Sequence, residues 1–100
     1  MNIRTLTLCV LAQLMARDTY GNDTGKWILA DPDGHIMGHL ATGAVKIRVS
    51  CDPIVWITFA DGEECNIPVH ARGTHNDTAR EIATAIRTVL WVKLESKVYA

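Results

Sequence analysis

The side chains best suited to recognising another molecule fall between positions 35 and 56. His35, Met37 and His39 alternate with apolar or small residues, Lys46 and Arg48 alternate with valines and an isoleucine, and Trp56 sits between Val55 and Ile57. Alternate residues of a strand share one face. If these segments are neighbouring strands with their polar sides together, a Trp and a Met stand among two cations and two histidines, with Thr58 beside them. Trp, Arg and Met are enriched at the centres of protein-binding surfaces. Aromatic and basic side chains on an open sheet also hold single-stranded nucleic acid, by base stacking and phosphate contact. The plain alternative is that Trp56 packs under a helix and the two cations are ordinary solvated residues. We expect Arg48 and Trp56 to anchor a partner, with Lys46 beside them and His35 or His39 at the rim.

Other constellations argue for less. Cys65, His70 and His75 follow at five-residue steps, and an adjacent strand could bring Cys51 to them. Structural zinc sites usually pair ligands two to four residues apart in a rigid knuckle, so one buried cysteine and two loop histidines are expected instead of a metal. Asp31-x-Asp33-Gly34 has the start of a calcium loop but lacks its later ligands and closing Glu; a tight turn explains it better. Thr24-Gly25-Lys26 lacks the earlier glycine and following hydroxyl of a phosphate loop. No G-x-S-x-G is present, and Ser50 and Ser96 are the only serines. His70 and Cys65 have nothing to orient them as base and nucleophile. Glu63-Glu64 follows Asp61-Gly62 and reads as a solvated hairpin tip, with no buried site to raise a carboxyl pKa for acid/base work. Neither an enzyme nor a cofactor is expected.

Composition bounds the remaining choices. One hundred residues suit a single domain, and 48% hydrophobic with 21% charged residues is ordinary globular usage. Ten Lys and Arg against eleven Asp and Glu leave a net charge of -1. That disfavours both a bulk electrostatic grip on nucleic acid and an acidic mimic of it. Three cysteines, Cys9, Cys51 and Cys65, cannot complete a disulfide framework. Reduced thiols in a cytoplasmic protein are expected, with a Cys51–Cys65 pair as the alternative. Arg4 followed by Leu6–Ala16 has the order of a signal peptide, but Gln13 interrupts the run and it is too short to span a bilayer. An ordered core element is expected there, and no membrane partner.

Turn chemistry positions the elements. Tyr20–Gly25, Asp31-Pro32-Asp33-Gly34, Thr42-Gly43, Asp52-Pro53, Asp61-Gly62 and Arg72-Gly73 are breaks. Between them the period is two: Val45, Ile47 and Val49, then Val55, Ile57 and Phe59, are half-buried strands. Trp27–Ala30, His35–Leu40 and Cys65–Val69 add three more. Such short connections demand antiparallel pairing. From Thr74 the period changes: Ala79, Ile82, Ala83, Ile86, Val89 and Leu90 form one helix face, opposite Arg80, Glu81, Thr84, Arg87 and Thr88. Thr74 with Asp77, or Thr78 with Glu81, offers the cap. Beyond Leu90, the alternation of Val92, Leu94 and Val98 with Lys93, Glu95 and Lys97 sets a terminal strand against continued helix. Continued helix puts Trp91 on the polar face beside Arg87, an exposed aromatic that a partner or a second copy would cover. Leu8–Arg17 is expected to be a helix, apolar nearly all round and largely buried, although Thr5–Leu8 alternates like a strand.

The expected architecture is α+β: an N-terminal helix, a five-stranded antiparallel meander, and a C-terminal amphipathic helix packed on the sheet. A small closed barrel is the alternative. The expected function is non-enzymatic docking on a larger protein or complex through His35, His39, Lys46, Arg48, Trp56, Arg87 and Trp91, with homodimerisation as a further use of such a surface. Phage and mobile-element accessory proteins that inhibit host defence, such as anti-CRISPRs, are small motif-free domains of this kind; the analogy is of kind and not of sequence. A nucleic-acid-binding regulator and a zinc module are the alternatives, in that order.

Overall fold

A computed structural model describes residues 2–16, 26–31, 34–40, 43–50, 54–70 and 73–99, with side chains of the last segment described to Lys93. Helix α1 spans Ile3–Met15, and Asn2 caps it by accepting the Thr5 N–H at 3.2 Å. That cap draws Thr5–Leu8 into the helix, which therefore begins five residues before the expected Leu8. Leu6, Val10 and Leu14 are fully buried at four-residue spacing, and buried Thr7 donates its hydroxyl to the Ile3 carbonyl at 2.7 Å. The helix is not buried all round, as its composition suggests. Leu8 and Met15 are 46% and 64% exposed, because only one side of α1 meets the rest of the molecule.

Five strands follow: β1 Lys26–Asp31, β2 His35–Leu40, β3 Gly43–Val49, β4 Ile54–Phe59 and β5 Glu64–Pro68. Each pairs antiparallel with its sequence neighbour, giving the order β1-β2-β3-β4-β5. The meander stays open, with β1 and β5 as its edges; it is not a barrel. At the β1–β2 turn Gly34 has φ +122°, and its carbonyl accepts the Val49 N–H at 2.8 Å. A Cβ there would lie 2.6 Å from the Val49 oxygen, so glycine is required on two counts. Pro32 and Asp33, like Cys51 to Pro53 and the residues from Arg17 to Gly25, lie outside the described residues.

Helix α2 spans His75–Tyr99. Thr74 accepts the Asp77 N–H at 3.0 Å, which selects the first of the two capping registers; Thr78 is buried instead. Ala79, Ile82, Ala83, Ile86 and Leu90 are fully buried. The segment 91–99 continues the helix, so the terminal strand does not form. Both helices pack side by side on one face of the sheet, α1 against β1 to β3 and α2 against β4. Trp27, Ile36, Leu40, Val45, Ile47, Val49, Val55, Ile57 and Phe59 supply the sheet's share of the core. The radius of gyration is 12.6 Å, as expected of one compact body of about 13 Å at this length.

Candidate binding face of the sheet

With the helices on one face, the pleat sends every other strand residue to the opposite face. The register then fixes which of them are neighbours. One row across the sheet reads His35, Arg48, Trp56, Asn66; the next reads Ile28, Met37, Lys46, Thr58, Glu64. The sequence expectation that the polar sides coincide is therefore met for His35, Met37, Lys46, Arg48, Trp56 and Thr58. His39 is exposed on the same face, between Lys26 and Ala44 in a third row.

The β3–β4 connection holds this register. The Ser50 hydroxyl accepts the Ile54 N–H at 3.1 Å and donates to the Ile54 carbonyl at 3.2 Å, while the Ser50 N–H donates to that same carbonyl at 3.0 Å. A slip of one residue would send Trp56 into the core and Val55 out of it. Ser50 is thus a positioning residue for the face, which residue type alone did not reveal.

At the centre of the face the Arg48 guanidinium lies 5.7 Å from the Trp56 ring centroid. Such a pair contributes about 0.5–1 kcal/mol at an exposed site. Trp56 is half-buried, and its Nε1–H is buried with no acceptor among the described residues. A buried donor left so costs roughly 1–3 kcal/mol. His35 Nδ1 lies 3.6 Å from Asp31 Oδ2 at the edge of the same row. His35, Lys46, Arg48, Trp56, Thr58 and Glu64 together line an open hollow of about 200 Å³. Glu64 was missed as a site residue because it reads as hairpin tip. The turn at Asp61-Gly62, which sets Glu64 across from Thr58, is the signal that places it.

Arg87 and Trp91 are elsewhere. Arg87 crosses to α1, where its Nη2 donates to the Gln13 carbonyl. Trp91, one turn further along α2, is 50% exposed on the helix side of the molecule. Their neighbourhood includes a groove of about 340 Å³ between α2 and the β4–β5 hairpin, lined by Phe59, Glu63, Cys65, Thr88, Val89, Val92 and Lys93. Lys93 Nζ bridges Asp61 Oδ2 at 2.8 Å and Glu63 Oε2 at 3.1 Å, and stands 4.9 Å from the Phe59 ring centroid. Hydrogen bonds to the two carboxylates raise the Lys93 pKa. Burial, and secondarily the Glu63 carboxylate, raises that of Cys65, with Lys93 partly offsetting them. A thiol pushed up in this way is a poor nucleophile at neutral pH. Cys9 and Cys65 are both free, and no group of three metal-ligating side chains occurs among the described residues. Because Cys65 is free, the alternative Cys51–Cys65 disulfide is not formed; Cys51 itself lies outside the described residues. No helix among the described residues is long and apolar enough to cross a membrane. The chain matches no protein-family model, and no curated protein or solved structure is significantly similar to it.

Proposed function

We propose that the protein is a non-enzymatic docking module that binds a larger protein through the outer face of its sheet. The observation that carries this is the Arg48–Trp56 pair, an exposed guanidinium over a half-buried indole at the middle of a sheet face on which neither helix packs. An aromatic with an arginine beside it, ringed by Met37, Thr58 and His35, is the composition of a protein-binding centre. Nucleic acid suits the face less well. Arg48 lies over the ring on which a base would stack, and Glu64 in the hollow's lining would repel phosphate. The setting we propose is the cytoplasm, with the module acting as a phage or mobile-element inhibitor of a host defence complex in the manner of an anti-CRISPR. Small size and the lack of a catalytic motif support that setting.

The test compares capture by the wild-type chain and by Trp56→Ala, each with and without nuclease. A stoichiometric protein that survives nuclease is expected to be bound by the wild type. Its affinity should fall by about 2 kcal/mol, roughly 30-fold, in the variant while the circular dichroism spectrum is retained. Capture lost on nuclease treatment would favour the nucleic-acid regulator instead, and full-strength binding by Trp56→Ala would remove this face.

A further inference from the structure

The hollow on the outer face also has a ligand chemistry. We infer that it is an oxyanion pocket that takes the carboxylate of an acidic side chain presented by the protein partner; this rests on the docking reading above. Five of its six lining residues carry hydrogen-bond donors: His35, Lys46, Arg48, Trp56 and Thr58. Neither Lys46 nor Arg48 has a carboxylate within ion-pair distance among the described residues. The Trp56 Nε1–H is buried and lacks an acceptor. Two cations with no ion-pair partner, beside a buried donor with no acceptor among the described residues, are complementary to a group that is negative and only accepts. A carboxylate is such a group, and its two oxygens match the fork of an arginine side chain.

Two features select a protein carboxylate over a nucleic-acid phosphate. A continuous phosphate backbone would run past both Glu64 in the lining and Asp31 beside His35, whereas a single inserted carboxylate can lie toward Lys46 and Arg48. The net charge of -1 gives no long-range pull on a polyanion. An acidic side chain entering singly, with its own backbone held away from Glu64, avoids both penalties.

The test follows the indole N–H resonance of Trp56 in the isotope-labelled full chain, assigned by its loss in Trp56→Phe. Three probes are titrated: a glutamate-rich peptide, the same peptide with glutamine for glutamate, and an oligothymidylate of equal charge. The glutamate peptide should move the Trp56 resonance saturably while those of Trp27 and Trp91 stay in place, and the glutamine peptide should move none. Arg48→Gln and Lys46→Gln should each weaken the effect by about tenfold with the remaining spectrum retained. Glu64→Gln should strengthen it by roughly threefold by removing a like charge. If Arg48→Gln does not fold, Arg48→Lys serves, since it keeps the charge and loses the fork. A stationary Trp56 resonance, an undiminished shift in the Arg48 variant, or tighter binding of the oligothymidylate overturns the inference. Failure here with Trp56-dependent capture intact removes the carboxylate and leaves the docking face. A Trp56 shift with capture indifferent to Trp56→Ala does the reverse.

Discussion

Gly38 is a glycine because Trp27 occupies the space a side chain would need. The two are paired across β1 and β2, and a Cβ on Gly38 would lie 2.6 Å from Cζ3 of the indole. Trp27 is 5% exposed and roofs this end of the core, so the ring cannot move without disturbing its neighbours. Gly38→Ala should therefore destabilise the protein by about 1–3 kcal/mol through overpacking, measured by denaturant unfolding. An unchanged midpoint would mean the ring shifts freely. Composition does not expose such a pair: Gly38 interrupts a strand whose period is otherwise regular, and only the register shows that the interruption faces an indole. The outward direction of Lys46, Arg48 and Trp56, by contrast, was legible from alternation alone, since Val45, Ile47, Val55 and Ile57 claim the core. What alternation does not carry is which outward residues are opposite one another. That depends on the Ser50 clamp and on the turn at Gly62, and it is what joins Arg48 to Trp56 and Thr58 to Glu64.

Among the elements, α2 has the clearest physical logic, and its buried stripe makes a direct prediction. Ile86 is fully buried in the core that α2 shares with the sheet and α1. Ile86→Ala should cost about 2–5 kcal/mol through lost burial and a residual cavity, read from thermal or denaturant unfolding. A cost below about 0.5 kcal/mol would place it with ordinary surface substitutions and contradict the stripe. The stripe up to Leu90 was readable in the sequence; the continuation was not, because Lys93 looks like the polar beat of a strand. At helix spacing it follows Ile86 and Leu90 and reaches Asp61 and Glu63, which are some thirty residues away in the chain. A polar residue at the end of an apolar stripe is uninformative until its partner is known. The contact also has a pH signature. Because the folded-state pKa of Lys93 is raised above the ordinary 10.5, its stabilising contribution is fully present below that value. It is lost only as pH rises through the raised value. The expected result is an alkaline decline in stability that Lys93→Gln lacks, with the two stability profiles running parallel at neutral pH. The same slope in both would separate Lys93 from the hairpin. At the other end of the chain, α1 reads as largely buried because Leu8, Cys9, Leu11 and Met15 surround it with apolar side chains, and apolar type alone does not say which of them finds a neighbour.

At the scale of the whole molecule the division is between a helix side and a sheet side, and it separates residues that the sequence groups together. Helical period places Arg87 and Trp91 outside the apolar stripe, and strand period places Lys46, Arg48 and Trp56 outside the core, but neither period says that the two sets are on different sides of the sheet. Packing both helices on one face settles it. A net charge near zero hides a similar division, with Lys46 and Arg48 on the outer face and Asp61 and Glu63 bound to Lys93 by the β4–β5 hairpin. The two exposed or half-exposed tryptophans make the sidedness testable. Trp91 is 50% exposed and Arg87, one turn before it, is engaged with Gln13, so α2 is held to α1 without the indole. Trp91→Ala should change stability by no more than about 0.5 kcal/mol. If docking uses the outer sheet face, the same variant should bind the partner at wild-type affinity, measured by calorimetry beside Trp56→Ala, which should lose about 2 kcal/mol. The reversed pattern would move the interface to the helix side, where Trp91, Val92 and the neighbouring groove offer apolar surface. Equal losses in both variants would require a partner that wraps the edge of the molecule from β5 to α2.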